Sequence, residues 1–231
     1  MNWMPSATSP IPRVSVPDHV FARLSEAILS GEYRPADRLP TQRALAADLQ
    51  VNMASVREAL GRLEQLRLID IRHGDGARVL DWRRSGGLES LVLHAGPGEF
   101  MGDLFEARGL LLVEASRLAA RRRTDEQAAT LIELADAVAG AGEDGAALLA
   151  DWSFMAALVE AAHNMVFQLI MNSVREIYLP RTASFAALVS DRARLAPLYA
   201  RAAEAVRDGD EQAAAAAIGD LVQAQTVGMA G

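Results

Sequence analysis

The chain has 231 residues and a formal net charge of -7, long enough for two domains that each bury a core. It has no cysteine, which excludes disulfides and thiolate metal sites, and every basic side chain is an arginine. The charge is uneven, with twelve arginines against ten acidic residues over 13–84 and eleven against twenty over 85–231, so a nucleic-acid footprint is confined to the front.

Apolar residues reach 51%, yet no run of about 18 uncharged apolar residues occurs, so no membrane span is expected and the chain reads as cytoplasmic. Residues 1–16 open with MNWMPSATSPIP, which has three prolines and no signal-peptide core. They are expected to form a loose arm.

A first helix is expected over 18–30, with Asp18 as N-cap after Pro17, Val20, Leu24, Ala27 and Ile28 facing inward, and Gly31 ending it. Thr41 then caps a short helix carrying Leu45 and Leu49, a break follows at 50–52, and Val56, Leu60 and Leu63 mark a second amphipathic helix. Two short helices about three residues apart, the second with a polar start, have the geometry that enters a DNA major groove. After them, 68–72 and 77–81 alternate apolar and polar residues around His73-Gly74-Asp75-Gly76, a hairpin with a glycine-rich tip. The pattern predicts a winged helix-turn-helix over 17–82. Its DNA-contact candidates are Arg43, Asn52, Met53, Ser55 and Arg57 around the second helix start, and His73 and Gly74 on the wing. Arg57 could instead pair with Glu58 or Glu64, and the hairpin alone could be an exposed turn without a partner.

Residues 83–98, with glycines and a proline around LESLVL, are expected to be a linker containing one short helix. From 99 to 231 the pattern is helical throughout, with helices expected over 99–122, 125–139, 145–162, 165–181, 191–207 and 211–227 and a short piece at 184–189. This reads as an all-α bundle, giving a mainly α fold. Arg108 interrupts an apolar helix face, and it either meets an anionic effector or pairs with Asp151 or another acid. Asn172, Arg175 and Tyr178, at i, i+3 and i+6, complete the effector candidates. His163 sits at a helix break as a cap or packing residue, and Arg121, Arg122 and Arg123 are expected at a solvated helix C-terminus. An enzyme built on this frame would have little chemistry available, with four histidines, no cysteine and no phosphate loop.

The run from Phe21 through ILSGEYRPADRLPTQRALAADL to VREAL and RLIDIRHGDGARV resembles the N-terminal domain of the GntR superfamily of bacterial transcription regulators. Further on, LDWRRSGGLESLVL and ADWSFMAALVEAAHNMVFQLIMNSVREIY resemble the FadR subfamily, its fatty-acid-responsive members more than the metal-containing ones. The resemblance implies a dimeric, effector-responsive regulator bound to double-stranded operator DNA. Relatives usually carry an arginine where this chain has Met53, and methionine cannot make a bidentate contact to guanine. Arg43 and Arg57 match the family. Its metal-containing members use an Asp and a His four apart plus two later histidines, whereas this chain has Asp151 followed by Met155, Tyr199 and Leu221 at those positions. The expectation is therefore no metal and no cofactor. In the fatty-acid regulators the tyrosine matching Tyr178 lies beside the acyl-CoA pocket, which makes fatty acyl-CoA the implied effector, with a small carboxylate as the alternative.

Overall fold

The computed structural model describes residues 15–72, 74–93, 100–179 and 185–230. Two units divide the chain, Met1–Ala95 and Gly96–Gly231. Among the sequence expectations, His73, most of the N-terminal arm, residues 94–98 of the linker and the outer ends of three predicted helices, at 99, 180–181 and 184, lie outside the described residues.

In the first unit α1 spans Val16–Leu29. Its cap is Ser15 rather than Asp18: Ser15 Oγ accepts from the Asp18 amide at 3.3 Å, and the Ser15 amide donates to Asp18 Oδ2 at 3.1 Å. This reciprocal box lets the helix start two residues earlier than expected, with Pro17 in the first turn, where no intrahelical donor is required. Asp18 also receives Arg62 Nη1 at 2.7 Å, and the Arg62 guanidinium lies 4.1 Å from the Phe21 ring centre. Helix α2 spans Gln42–Asp48 behind its Thr41 cap, and α3 spans Met53–Gln65. Between them Gln50 takes φ +54°, which reverses the chain within three residues. Val20, Phe21, Leu24 and Ile28 of α1 share one core with Leu45, Val56, Leu60 and Leu63.

Strands β1 (Ile69–Arg72) and β2 (Gly76–Val79) pair antiparallel, Ile69 opposite Val79 and Arg72 opposite Gly76. Gly74 and Gly76 at the turn take φ of +79° and +83°, a region that other residues enter only at a cost. Residues 36–39 add a short third edge, with the Ala36 amide on the Val79 carbonyl and the Leu39 amide on the Ala77 carbonyl, both at 2.9 Å. Between Pro35 and Pro40 this edge is too short to show alternation in the sequence. The stretch expected to be a linker with one helix holds two, α4 (Trp82–Ser85) and α5 (Glu89–Leu93), and Trp82 and Leu93 pack against the first core.

The second unit is a helical bundle of α6 (Met101–Arg122), α7 (Asp125–Gly140), α8 (Asp144–Ala161), α9 (Met165–Tyr178), a 3-10 turn (Ala186–Val189), α10 (Arg192–Asp208) and α11 (Glu211–Ala230). Helix α8 buries Leu148, Asp151, Phe154, Met155 and Leu158, so it runs through the middle of the bundle. Helices α6 and α11 approach closely at Gly109, where an added Cβ would lie 3.2 Å from Val222 Cγ1. This brings Arg108 of α6 beside Gln225 of α11.

Arg121, Arg122 and Arg123 are engaged with their neighbours rather than simply solvated. Arg122 donates to the Ala162 carbonyl at 2.9 Å and Arg123 to the Arg207 carbonyl at 2.7 Å, at the negative ends of α8 and α10, while Arg121 lies 3.8 Å from Glu211. His163 sits at the α8–α9 break with φ +47°, its Nε2 3.1 Å from Gln127 Oε1.

Candidate functional site

The start of α3 is a solvent-facing surface set by its cap. Asn52 Oδ1 accepts the Ser55 amide at 2.8 Å, so its carbonyl oxygen is committed to the helix and its amide nitrogen is the group left to meet a partner. Ser55 is only 6% exposed and faces the core, so it holds the helix in place rather than presenting itself. Met53, by contrast, is 45% exposed, an unusual position for a large apolar side chain, and Arg57 and Arg43 are exposed as well. Neither arginine forms an ion pair with another described residue. Glu64, one of the acids that could have paired with Arg57, instead accepts the Ile71 amide at 3.1 Å and ties α3 to the wing.

At the wing tip Asp75 joins two arginines. Arg78 Nε donates to Asp75 Oδ2 at 3.0 Å, while Arg38 bonds both the Asp75 carboxylate and its backbone carbonyl, the latter from Nε at 3.1 Å. The Arg78 hydrogen bond first, and then the charges of Arg38 and Arg78, hold the Asp75 carboxyl below its ordinary value. Gly74 at the tip is exposed. Sequence reasoning selected the tip but missed Arg38 and Arg78, because their shared partner is 37 residues from Arg38.

The bundle contains a second constellation. Asp151 of α8 is 1% exposed and surrounded by donors. Tyr178 Oη donates to Oδ2 at 2.8 Å, and Tyr199 Oη and Gln225 Nε2 both donate to Oδ1, at 2.5 and 2.9 Å. Gln225 Nε2 also donates to Tyr199 Oη at 2.8 Å, and Gln225 Oε1 accepts from Arg108 Nη2 at 2.9 Å. That same Nη2 is 3.7 Å from Asp151 Oδ1. Burial first, and the adjacent carboxylate second, push both phenols above their ordinary value of 10.0, so both keep their protons and act as donors. Arg108, its side chain 12% exposed, retains one buried amino group, Nη1, with no hydrogen-bond partner among the described residues. Beside the cluster the Tyr178 ring stacks on Phe185 at 4.7 Å and meets Trp152 at 5.3 Å, while Phe105 meets Phe185 edge-on at 6.3 Å.

Of the expected effector residues, Arg108 and Tyr178 are brought together through Asp151. Asn172 and Arg175 are not: both are exposed on α9, Asn172 accepting from Gln168 at 3.3 Å and Arg175 lying 3.7 Å from Glu176. Their i, i+3 spacing gives them a common side of the helix, but it is the outer side. Gln225 gave no signal in the sequence, lying in an alanine-rich helix 74 residues from Asp151. The cluster does not suit a divalent cation. Both Asp151 oxygens already receive hydrogen bonds, a guanidinium stands beside them, and Met155 and Leu221 are buried apolar side chains. Among the described residues no three His, Cys, Asp or Glu side chains are grouped to hold a metal, whereas a tight transition-metal site needs three or four such ligands.

Among the described residues no helix is long and apolar enough to cross a membrane. Residues 17–79 match the model of the bacterial regulatory proteins of the gntR family, and residues 103–224 match the FCD domain. The HTH-type transcriptional regulator Mce2R of Mycobacterium tuberculosis is 32% identical over 222 residues, covering 94% of this chain and 92% of that protein. The Uxu operon transcriptional regulator of Escherichia coli is 36% identical over 167 residues, covering 67% and 62%. In three dimensions the chain resembles a GntR protein of Streptococcus agalactiae, with a TM-score of 0.52 at 24% identity over 93% of this chain and all of that one, a likeness of fold. With a winged helix matching the gntR model over residues 17–79 and an FCD domain following it in sequence over 103–224, the chain belongs to the GntR family of bacterial transcription regulators.

Proposed function

We propose that the chain acts as a homodimer on two-fold symmetric operator DNA, with α3 in the major groove, and that the effector is a small carboxylate sensed at the Asp151 cluster. Arg43 and Arg57 supply phosphate or guanine contacts, Asn52 and Met53 face bases, and His73 and Gly74 of the wing approach the backbone. The observation that carries the effector reading is the buried guanidinium of Arg108 with an unpartnered amino group inside a compact polar cluster. A guanidinium edge left without an acceptor suits the carboxylate of a small acid. The case for fatty acyl-CoA rested on Tyr178, whose hydroxyl is committed here to Asp151, so the smaller ligand is preferred.

Selection of binding sites by the full chain from a random DNA pool tests the first half of this reading. The expected result is a pair of inverted half-sites about one helical turn apart, and recovery of no enriched sequence would refute it. Repeating the binding of the selected site with acetate, butyrate, benzoate and octanoyl-CoA tests the second half. A response to octanoyl-CoA alone would restore the acyl-CoA reading.

A further inference from the structure

The Asp151 cluster has the form of an ion site in which the cation belongs to the protein. A carboxylate is buried at the centre of a helical bundle, three neutral hydrogen bonds fix its oxygens, and one positive group stands against it. In a metal centre that positive group would be exchangeable and would keep an open position for ligand. Here it is the Arg108 guanidinium, and the open position is its Nη1 amino group, buried and without a partner among the described residues.

Gln225 gives this arrangement its geometry. Its amide accepts from Arg108 Nη2 on one side and donates to Asp151 Oδ1 and Tyr199 Oη on the other. One side chain from α11 thereby fixes the relative orientation of the charged groups on α6 and α8. With Nη2 held by Gln225, Nη1 is the edge of the guanidinium left for a second acceptor. We infer that Arg108, oriented by Gln225, takes the place of a divalent cation at Asp151, making the cluster a metal-independent receptor for a single carboxylate group on a small apolar body.

The ligand class follows from charge and surroundings. Asp151 and Arg108 already cancel, so a bound monoanion leaves one net negative charge in a buried site, whereas a dicarboxylate or phosphate dianion would leave two, at a far greater desolvation cost. The neighbouring side chains Phe105, Trp152, Tyr178 and Phe185 are aromatic and suit an apolar remainder. Tyr178 belongs to both halves, its ring in the aromatic group and its hydroxyl on Asp151.

This inference rests on the small-carboxylate reading, and its test separates the two. The full chain, stripped with EDTA, is titrated by calorimetry and thermal shift with zinc and nickel alone, with a monocarboxylate series from acetate to hexanoate and benzoate, and with succinate and inorganic phosphate. The expected result is no metal binding in the effector domain and saturable stabilisation by a monocarboxylate but not by succinate or phosphate. Gln225→Leu should weaken that binding about tenfold to a hundredfold, the loss of one charge-assisted contact geometry. The neutral double variant Arg108→Met with Asp151→Asn, which leaves no unpaired buried charge, should abolish it, with unchanged helicity by circular dichroism showing that the loss is not one of folding. Stabilisation that requires zinc or nickel would overturn the inference and leave the small-carboxylate reading standing, whereas stabilisation equal in wild type and the double variant would overturn the inference and the placing of the carboxylate at the Asp151 cluster. No response to any carboxylate, with or without metal, would overturn both.

Discussion

Arg57 and Met53 sit one turn apart at the start of α3, and their different chemistry leads to different expectations. Arg57 is exposed and has no ion pair among the described residues, so its charge is available to a phosphate. Arg57→Ala is expected to weaken binding to all DNA sequences and to lower the slope of affinity against salt by about one unit. An anisotropy titration across salt concentrations showing an unchanged slope would exclude the phosphate contact. Met53, 45% exposed, can offer a base only apolar contact. Met53→Arg should shift the selected site toward guanine at one position per half-site, with a gain of roughly 1 to 3 kcal/mol for that base, and selection of the same site by both proteins would refute the assignment. In the bundle, Asp151→Ala removes one partner of a buried ion pair and leaves Arg108 without its counter-charge. The expected loss is about 3 to 5 kcal/mol of stability, measurable by urea unfolding. A loss below about 1 kcal/mol, the range of a solvent-exposed pair, would show the pair to be hydrated.

At the scale of elements, the caps decide where helices begin. Thr124 and Gln127 form a reciprocal box at the start of α7, at 3.2 and 3.0 Å, so Thr124→Ala should cost about 1 kcal/mol. Helix α1 carries a pH-dependent counterpart. The hydrogen bond from Ser15, then that from Arg62, lowers the Asp18 carboxyl from its ordinary 3.8 to about 2. A carboxyl lowered on folding contributes stability that is fully present above pH 3.8 and is lost as pH falls through about 2. Thermal melts should therefore separate wild type from Asp18→Asn at pH 5 and converge by about pH 2. A gap that persists to pH 2 would mean that the charge of Asp18 is not what stabilises α1. The same region shows what could be read from sequence. Thr41 and the Val56, Leu60 and Leu63 spacing located α2 and α3, because caps and apolar period are local signals. Ser15 was missed because Asp18 is also a good cap residue, and only the reciprocal bonds decide between them. The third edge of the sheet was missed because its pairing is with residues about 40 positions away.

Across the whole molecule, local pattern identified a winged helix followed by a helical bundle, but it could not assemble the Asp151 cluster. Arg108, Asp151, Tyr178, Tyr199 and Gln225 come from five different helices. Helical spacing grouped Tyr178 with Asn172 and Arg175, and only the packing of α8 against its neighbours separates the buried tyrosine from the two exposed residues. Met155, Tyr199 and Leu221 were legible as departures from a metal-ligand pattern, yet the reason Tyr199 is there, a hydrogen bond to a buried carboxylate, needed the fold. The two units are expected to be linked thermodynamically, with ligand at the cluster changing operator affinity by about 5-fold to 150-fold. The direct measurement is a fluorescence-anisotropy titration of the selected operator by EDTA-treated full chain, with and without a saturating monocarboxylate. Operator affinity should change within that range in the wild type without added metal, and should not change in the Arg108→Met, Asp151→Asn double variant. Operator affinity that is indifferent to carboxylate in the wild type, or that responds only when zinc or nickel is restored, would contradict a metal-independent, carboxylate-sensing regulator.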